Sequence, residues 1–583
     1  MSPREQLEEP LLASRDDDIG EADETGEDTS PTSDLVGTSN GGGDDHNGEN
    51  GASDETESTS SSFTIKSELW DMFQLAWPLA VSFFCRMGMA STDSSFVGHI
   101  TDGLHTAELY LAAAVLSDMC VNVLITPPLA FNQVLNGLVG QAIGSGNPQM
   151  AGVWLQQSMF WLAITMLPFS IGCFYVKEAL LFLDFPADVA EMAGKYAKYN
   201  VFWIVPNGWY QCFRFYFQAR GIPRPAMYNN ITFLIINGLL NWLFVMGGPF
   251  GYVHEDSMFH WSGFGFIGAA ISISISRTMQ SVVYYCYMFL YKKHHLSAWP
   301  EDGWSFKNFT YDRTIEFLKQ SVPNMGTLLF QTATNQATTI LIGRLGEGAI
   351  AASSALSTIS YPWSGTLSAT CTTICAVRVG YHLGRGNGKA AQMSFKIVFI
   401  GLTLVNLIVA AILLTPSWKE AILQISTNDG NVLSAAGKLV GALLVGTYLN
   451  LLVNIITSGV FSGMGRPVIA TILSFGLELP LSIGGVAIYI LMYHGDLLGV
   501  YWWQAVFGGI ELVIVMAILR MSDWDYWATE AQRRQEAGHE GNSETNDAAN
   551  SDEEAPAGPP LEQPLLADDH LGETERASNI SEA

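Results

Sequence analysis

Between residues 67 and 520, apolar stretches about 20 residues long alternate with short polar connections, and a helix of that length crosses the hydrocarbon layer of a bilayer. The pattern predicts twelve spanning helices, near 73–95, 108–137, 153–176, 197–218, 227–247, 264–291, 321–343, 348–377, 394–414, 434–460, 468–493 and 498–520. The second and eighth are long and carry Pro127-Pro128 and Pro362, which predicts bent helices whose freed backbone groups face protein or a cavity. Lys and Arg gather after even-numbered spans, at Arg220, Arg224, Lys292, Lys293, Lys307, Arg313, Lys319, Arg378, Arg385 and Lys389. Connections after odd-numbered spans hold fewer, chiefly Lys177, Lys195, Lys198, Arg344, Lys419 and Lys438. This bias predicts that both termini are cytoplasmic. The Asn308-Phe309-Thr310 sequon then falls on the cytosolic side.

Composition agrees with an all-α polytopic membrane protein. The chain is 48% hydrophobic and only 14% charged, against about 25% charged residues in soluble domains. The net charge of -28 belongs to the ends: residues 1–62 hold 18 acids and 2 bases, residues 521–583 hold 16 acids and 3 bases, and the remainder is near neutral. Both ends lack the apolar residues needed to offset the entropy of ordering, so 1–66 and 522–583 are expected to be disordered acidic tails. Each tail contains an acid shortly before a Leu pair, Leu11-Leu12 and Leu565-Leu566. These resemble dileucine signals read by sorting adaptors, which fits a plasma-membrane or a vacuolar and endolysosomal destination. No removable leader is visible, so insertion is expected to use the first span. All seven cysteines lie in apolar stretches without metal-ligand spacing and are expected to be free thiols.

Internal repetition organises the spans. Gly144-Ser145-Gly146-Asn147 recurs as Gly384-Arg385-Gly386-Asn387 at an offset of 240. Gly221-Ile222-Pro223-Arg224-Pro225 is echoed by Gly463-Met464-Gly465-Arg466-Pro467 at 242, and Phe96-Val97-Gly98-His99-Ile100 by Leu341-Ile342-Gly343-Arg344-Leu345 at 245. Six spans per repeat is an even number, so the halves are predicted to be parallel copies about an axis along the membrane normal. The expected organisation is an N-lobe at 67–293, a cytosolic inter-lobe loop at 294–320 and a C-lobe at 321–521.

Several ordered motifs resemble one family. Thr92-Asp93-Ser94-Ser95-Phe96-Val97-Gly98-His99-Ile100 is similar to the first-helix signature of the multidrug and toxic compound extrusion transporters. Gly140-Gln141-Ala142-Ile143-Gly144-Ser145-Gly146-Asn147 with Gln156-Gln157-Ser158, Arg378-Val379-Gly380 through Asn387, and Asp523-Trp524 with Arg533 resemble later segments of the same family. The resemblance covers about residues 67–535. It implies export of organic cations, drugs or metabolites in exchange for H+ or Na+, with two lobes alternating access to a central space.

Ionisable groups inside a bilayer are costly and are candidates for function. Asp93 stands where prokaryotic relatives place a coupling aspartate; desolvation favours a neutral carboxyl, so Asp93 is expected to take up a proton in one state and release it in the other. A permanently paired structural carboxylate is the alternative. Arg86 shares the face of Asp93 but lies about 10 Å away along the helix, so direct contact needs another helix. Asn237 and Asn241, one turn apart in the fifth span, are expected either to bond Asp93 or to act as interhelical glue. In the second lobe the resemblance puts Gln331, Gln336 and Leu451 where eukaryotic relatives carry glutamates. A cation-binding carboxylate pair is therefore expected to be absent there, and Gln331, Gln336, Asn454 and Tyr361 are candidates for the substrate path. Asp118, Glu478 and Glu511 read as helix-end or inter-lobe polar groups, and Arg277 as a residue snorkelling to the cytosolic interface.

No phosphate-cradling loop, metal-spaced cluster or basic nucleic-acid groove is present. The expectations are therefore no enzymatic activity, no cofactor beyond the coupling ion, and a monomer in the lipid bilayer acting on a small organic solute. Alternatives within transport are a lipid-linked flippase of the wider superfamily and an organic-anion exporter.

Overall fold

The computed structural model describes residues 64–100, 107–252, 261–424 and 430–535. The dileucine segments at Leu11-Leu12 and Leu565-Leu566 lie outside them. Twelve helical rods run through the described residues. They are α1 Ile65–Val97, α2 Ala107–Ile125 continued by Leu135–Gly144, α3 Pro148–Phe182, α4 Ala187–Ala219, α5 Arg224–Met246 and α6 Gly265–Tyr291 in the first half. The second half holds α7 Tyr311–Gly343, α8 Glu347–Gly384, α9 Gly388–Leu414, α10 Val432–Gly463, α11 Pro467–Leu491 and α12 Leu497–Met521. No strand occurs among the described residues.

α2 bends by 58° at the Pro127-Pro128 break, as two adjacent prolines demand. α8 is one continuous helix that contains Pro362. Seven rods are apolar enough to cross a membrane on length and composition alone, and α2 makes eight. The other four, α1, α4, α7 and α8, carry polar residues that face protein instead of lipid. Ser82, Asp93, Asn200, Asn207, Arg214, Asn324, Thr327 and Thr370 are all buried.

One face of the molecule, the near face, collects the start of α1 and every even-numbered connection. Gln156, early in α3, donates to the Gly303 carbonyl at 2.7 Å and accepts from Asn308 Nδ2 at 3.3 Å, so the sequon amide is engaged against α3; the loop expected at 294–320 is shorter, because α7 begins at Tyr311. Arg220 after α4 donates to the His294 carbonyl after α6 at 2.9 Å. Arg466, between α10 and α11, donates to Ser522 after α12 at 3.0 Å. Here the sequence reading needs correction: 524–535, placed in a disordered tail, is helical. Its apolar side buries Ala528 and Ala531, Trp527 stacks on the Arg466 guanidinium 4.3 Å away, and Arg534 pairs with Glu316 at 3.2 Å.

The two halves meet along a glycine seam whose contacts exchange under the 240-residue shift. A Cβ on Gly140 would stand 2.8 Å from the Val377 carbonyl oxygen, and a Cβ on Gly380 2.8 Å from the Gly137 carbonyl oxygen. Likewise Gly144 abuts the Tyr381 carbonyl and Gly384 the Gln141 carbonyl, both too closely for any side chain. Such reciprocity is the mark of a two-fold axis between α2 and α8, with small residues allowing the backbones to touch. The repeat extends to the caps: Asn147 accepts from Met150 N and Asn387 from Ala390 N, after Gly146 and Gly386 at φ 79° and 74°. In the later motif the equivalent glycines are Gly221 and Gly465, at φ 78° and 73°, two positions from the pairing that residue identity suggests.

Gly144→Leu places a side chain into backbone, and overpacking costs about 1–3 kcal/mol. The expected result is about tenfold faster maleimide labelling of a single cysteine at Val377→Cys, which is buried in the seam.

Candidate functional site

Asp93 lies in the last two turns of α1, 6% exposed. Its Oδ1 accepts from Asn237 Nδ2 at 2.7 Å and from Asn241 Nδ2 at 2.8 Å. The two amides stand four residues apart on α5 and so present one face. Both amide oxygens are buried without a hydrogen-bond partner. Asp93 Oδ2 makes no hydrogen bond among the described residues, so the cluster has spare acceptor capacity for one proton or small cation.

The guanidinium that acts on Asp93 is Arg277 of α6, which is buried and donates to Met89 Sδ at 3.4 Å. It does not snorkel to the interface. Arg86, expected near Asp93, lies two turns back along the same face of α1, where the charges that act on it are those of Arg277, Arg214 and Tyr210. Arg214 is stacked between the Phe83 and Phe215 rings at 4.8 and 4.3 Å and donates to Gln211 at 2.9 Å. Asp118 of α2 lies within reach of the charge of Asp93; it stands mid-helix, in the N-lobe interior and not at a helix end. The N-lobe thus encloses two carboxylates and three guanidiniums, with one nitrogen of Arg86 and one of Arg214 left unpartnered.

Some 25 residues earlier on α1, and so about 38 Å away at 1.5 Å per residue, Glu68 closes the near face. It is 3% exposed. Arg378 Nε donates to Glu68 Oε1 at 2.9 Å and its Nη2 contacts Oε2, a bidentate pair across the lobes. His382 Nε2 lies 3.1 Å from Oε2 and Ser394 Oγ donates to Oε1 at 2.7 Å. Glu68, at a polar helix start, and its partners more than 300 residues on offered no local signal that they would meet.

In the C-lobe a cavity of about 390 Å³ opens among α7, α8, α10, α11 and α12. Asn454 and Tyr361 line it, as expected. Gln331 and Gln336 do not; the α7 face turned inward is Thr334, Asn335 and Thr338. Glu478 and Glu511 also line the cavity. This corrects one expectation, since the lobe does hold a carboxylate pair, and of the two placements expected for these glutamates, helix end or inter-lobe, it removes the first. They were missed because each stands alone in its own span.

A polytopic membrane transporter of two parallel six-helix halves, each with ionisable groups in its interior, is the class that fold and site define. Comparison with known proteins makes the class specific. The chain belongs to the MatE family, whose model matches residues 78–243 and 323–483, once in each half. It is 27% identical over 476 residues to Protein DETOXIFICATION 36 of Arabidopsis thaliana, covering 80% of this chain and 88% of that protein. The fold matches the crystal structure of the eukaryotic MATE transporter AtDTX14 with a TM-score of 0.70 and 18% identity, covering 81% of this chain and 99% of that one. It also matches a MOP superfamily transporter from Pyrococcus furiosus at a TM-score of 0.67 and 15% identity, covering 78% and 95%, a protein described by a binding pocket of reversed polarity. The chain is accordingly a multi-pass efflux transporter of that family.

Proposed function

We propose that this transporter exports small organic solutes in exchange for protons, with Asp93 as the coupling group and the near face cytoplasmic. The observation that supports it most is the Asp93 cluster: one buried carboxylate, two amides on a single oxygen, and a second oxygen without a hydrogen bond among the described residues. A proton there removes the cost of a buried charge and releases the attraction to Arg277, so binding and release bias the packing of α1 against α5 and α6. With the near face sealed at Glu68 and the glycine seam, Asp93 belongs to the half of the molecule away from that seal, where a proton from outside arrives. Sodium competes for the same acceptors, and the experiment separates the two ions.

Energetics bound the exchange. One proton for one monovalent cation cancels the voltage, leaving about 1.4 kcal/mol per pH unit, or roughly tenfold concentration. A neutral solute adds about 2.3 kcal/mol per 100 mV. The test is uptake of labelled organic cations and anions into proteoliposomes under an imposed pH gradient, with and without a sodium gradient. Accumulation driven by pH alone is expected; accumulation that follows only sodium overturns proton coupling.

A second reading, export of organic anions, is favoured by the three buried N-lobe guanidiniums, two of which, Arg86 and Arg214, each keep one nitrogen without a hydrogen-bond partner. Labelled anions in the same assay decide between them.

A further inference from the structure

The N-lobe interior carries more positive charge than it balances. Arg86, Arg214 and Arg277 stand against Asp93 and Asp118, three guanidiniums to two carboxylates, and a guanidinium keeps its proton inside a protein. Arg277 has Asp93 within reach of its charge. No carboxylate among the described residues acts on Arg86 or Arg214. A buried charge in that condition is costly unless an opposite charge joins it.

The fold gathers these side chains around Tyr210 of α4. The Tyr210 hydroxyl donates to Asn230 Oδ1 on α5 at 2.8 Å, and Asn230 Nδ2 in turn contacts Ser82 Oγ on α1. Arg86 stands four residues after Ser82 and three after Phe83, so all three share one face of α1. Phe83 and Phe215 stack on the Arg214 guanidinium at 4.8 and 4.3 Å, which leaves hydrogen bonding to its edge. There Nε is taken by Gln211 at 2.9 Å, while Nη1 is buried without a partner among the described residues. Arg86 Nη1 is in the same condition. A third buried donor without a partner is the hydroxyl of Tyr284 on α6, whose ring meets that of Tyr210 edge-on with centroids 5.3 Å apart.

We infer that Arg86 Nη1, Arg214 Nη1 and the Tyr284 hydroxyl hold a small inorganic anion, of the size of chloride, as a counterion resident in the N-lobe. One such ion balances the three guanidiniums against three negative charges, and the three donors give it charge-assisted hydrogen bonds. Arg214 and Tyr284 are 2% and 1% exposed, so the site is closed to a solute that must enter and leave in each cycle. The ion is therefore part of the lobe and not cargo, and its binding does not depend on which solute is exported.

The test is equilibrium binding of radiolabelled chloride to the full chain in nanodiscs, with ionic strength held constant by gluconate. Saturable binding to one site per chain is expected, displaced by bromide and nitrate but not by citrate, and thermal stability should rise with chloride occupancy. Arg86→Met leaves two guanidiniums against two carboxylates. It should weaken chloride binding about tenfold or more and make thermal stability indifferent to chloride, while Arg86→Lys should keep part of the binding. Asp93→Asn removes one compensating negative charge and should tighten binding several-fold. No saturable binding to the parent, displacement by citrate, or parental affinity in Arg86→Met or Asp93→Asn overturns the site. Binding is read without transport, so failure here leaves proton coupling standing, and failure of pH-driven uptake leaves the anion site standing.

Discussion

Asp93→Asn is expected to abolish pH-driven accumulation while leaving a folded, membrane-inserted protein. The substitution keeps the volume and one carbonyl acceptor for Asn237 and Asn241, whose donors lie 2.7 and 2.8 Å from the present Oδ1, so the packing of α1 on α5 is retained. What disappears is the exchangeable charge. A group with one protonation state cannot distinguish the two solutions, and a ligand that does not discriminate between states shifts nothing. Accumulation should fall from roughly tenfold per pH unit to simple equilibration, with downhill exchange of solute continuing. Proteoliposome uptake with and without the gradient separates these outcomes. A variant that accumulates solute like the parent removes Asp93 from the coupling role.

Arg378→Ala should release the near face. It leaves the Glu68 carboxylate, 3% exposed, with only His382 and Ser394, and removing one partner of a buried ion pair costs about 3–5 kcal/mol. Because the pair bridges the lobes, that cost falls on the conformation sealed at this face and not on either lobe alone. The population open to the near side should rise by two to three orders of magnitude, read as labelling of a cysteine at Val377→Cys from that side. The paired substitution Glu68→Gln with Arg378→Met should be much milder, since no charge is left unmatched. Equal labelling in parent and Arg378→Ala would show that the glycine seam alone holds the lobes together.

Much of this architecture is legible in the sequence for identifiable reasons. Span length and apolar content mark the twelve helices, and short motifs tied to caps and turns, such as Asn147 with Asn387, mark the repeat. Asp93, Asn237 and Asn241 are readable because one residue is an isolated acid and the other two share a helical face. What the sequence withholds is pairing across distance. Arg277 looks like an interfacial cation until α6 is packed against α1, and Arg86 looks like its obvious competitor until the two turns of α1 between it and Asp93 are seen to set it beside Arg214. Glu478 and Glu511 are two ordinary-looking acids until α11 and α12 bring them to one cavity. Gln331 and Gln336 miss that cavity because the inward stripe of α7 runs through Thr334, Asn335 and Thr338. The helix at 524–535 was obscured by the acidic residues that follow it.

The central claim, that a proton on Asp93 is traded for solute as access alternates, is met most directly by recording both fluxes at once. Proteoliposomes holding a pH-sensitive dye, loaded with acid inside and given an organic cation outside, should lose protons in step with solute entry, and Asp93→Asn should show neither proton loss nor accumulation. Proton loss independent of added solute, or undiminished in Asp93→Asn, contradicts it.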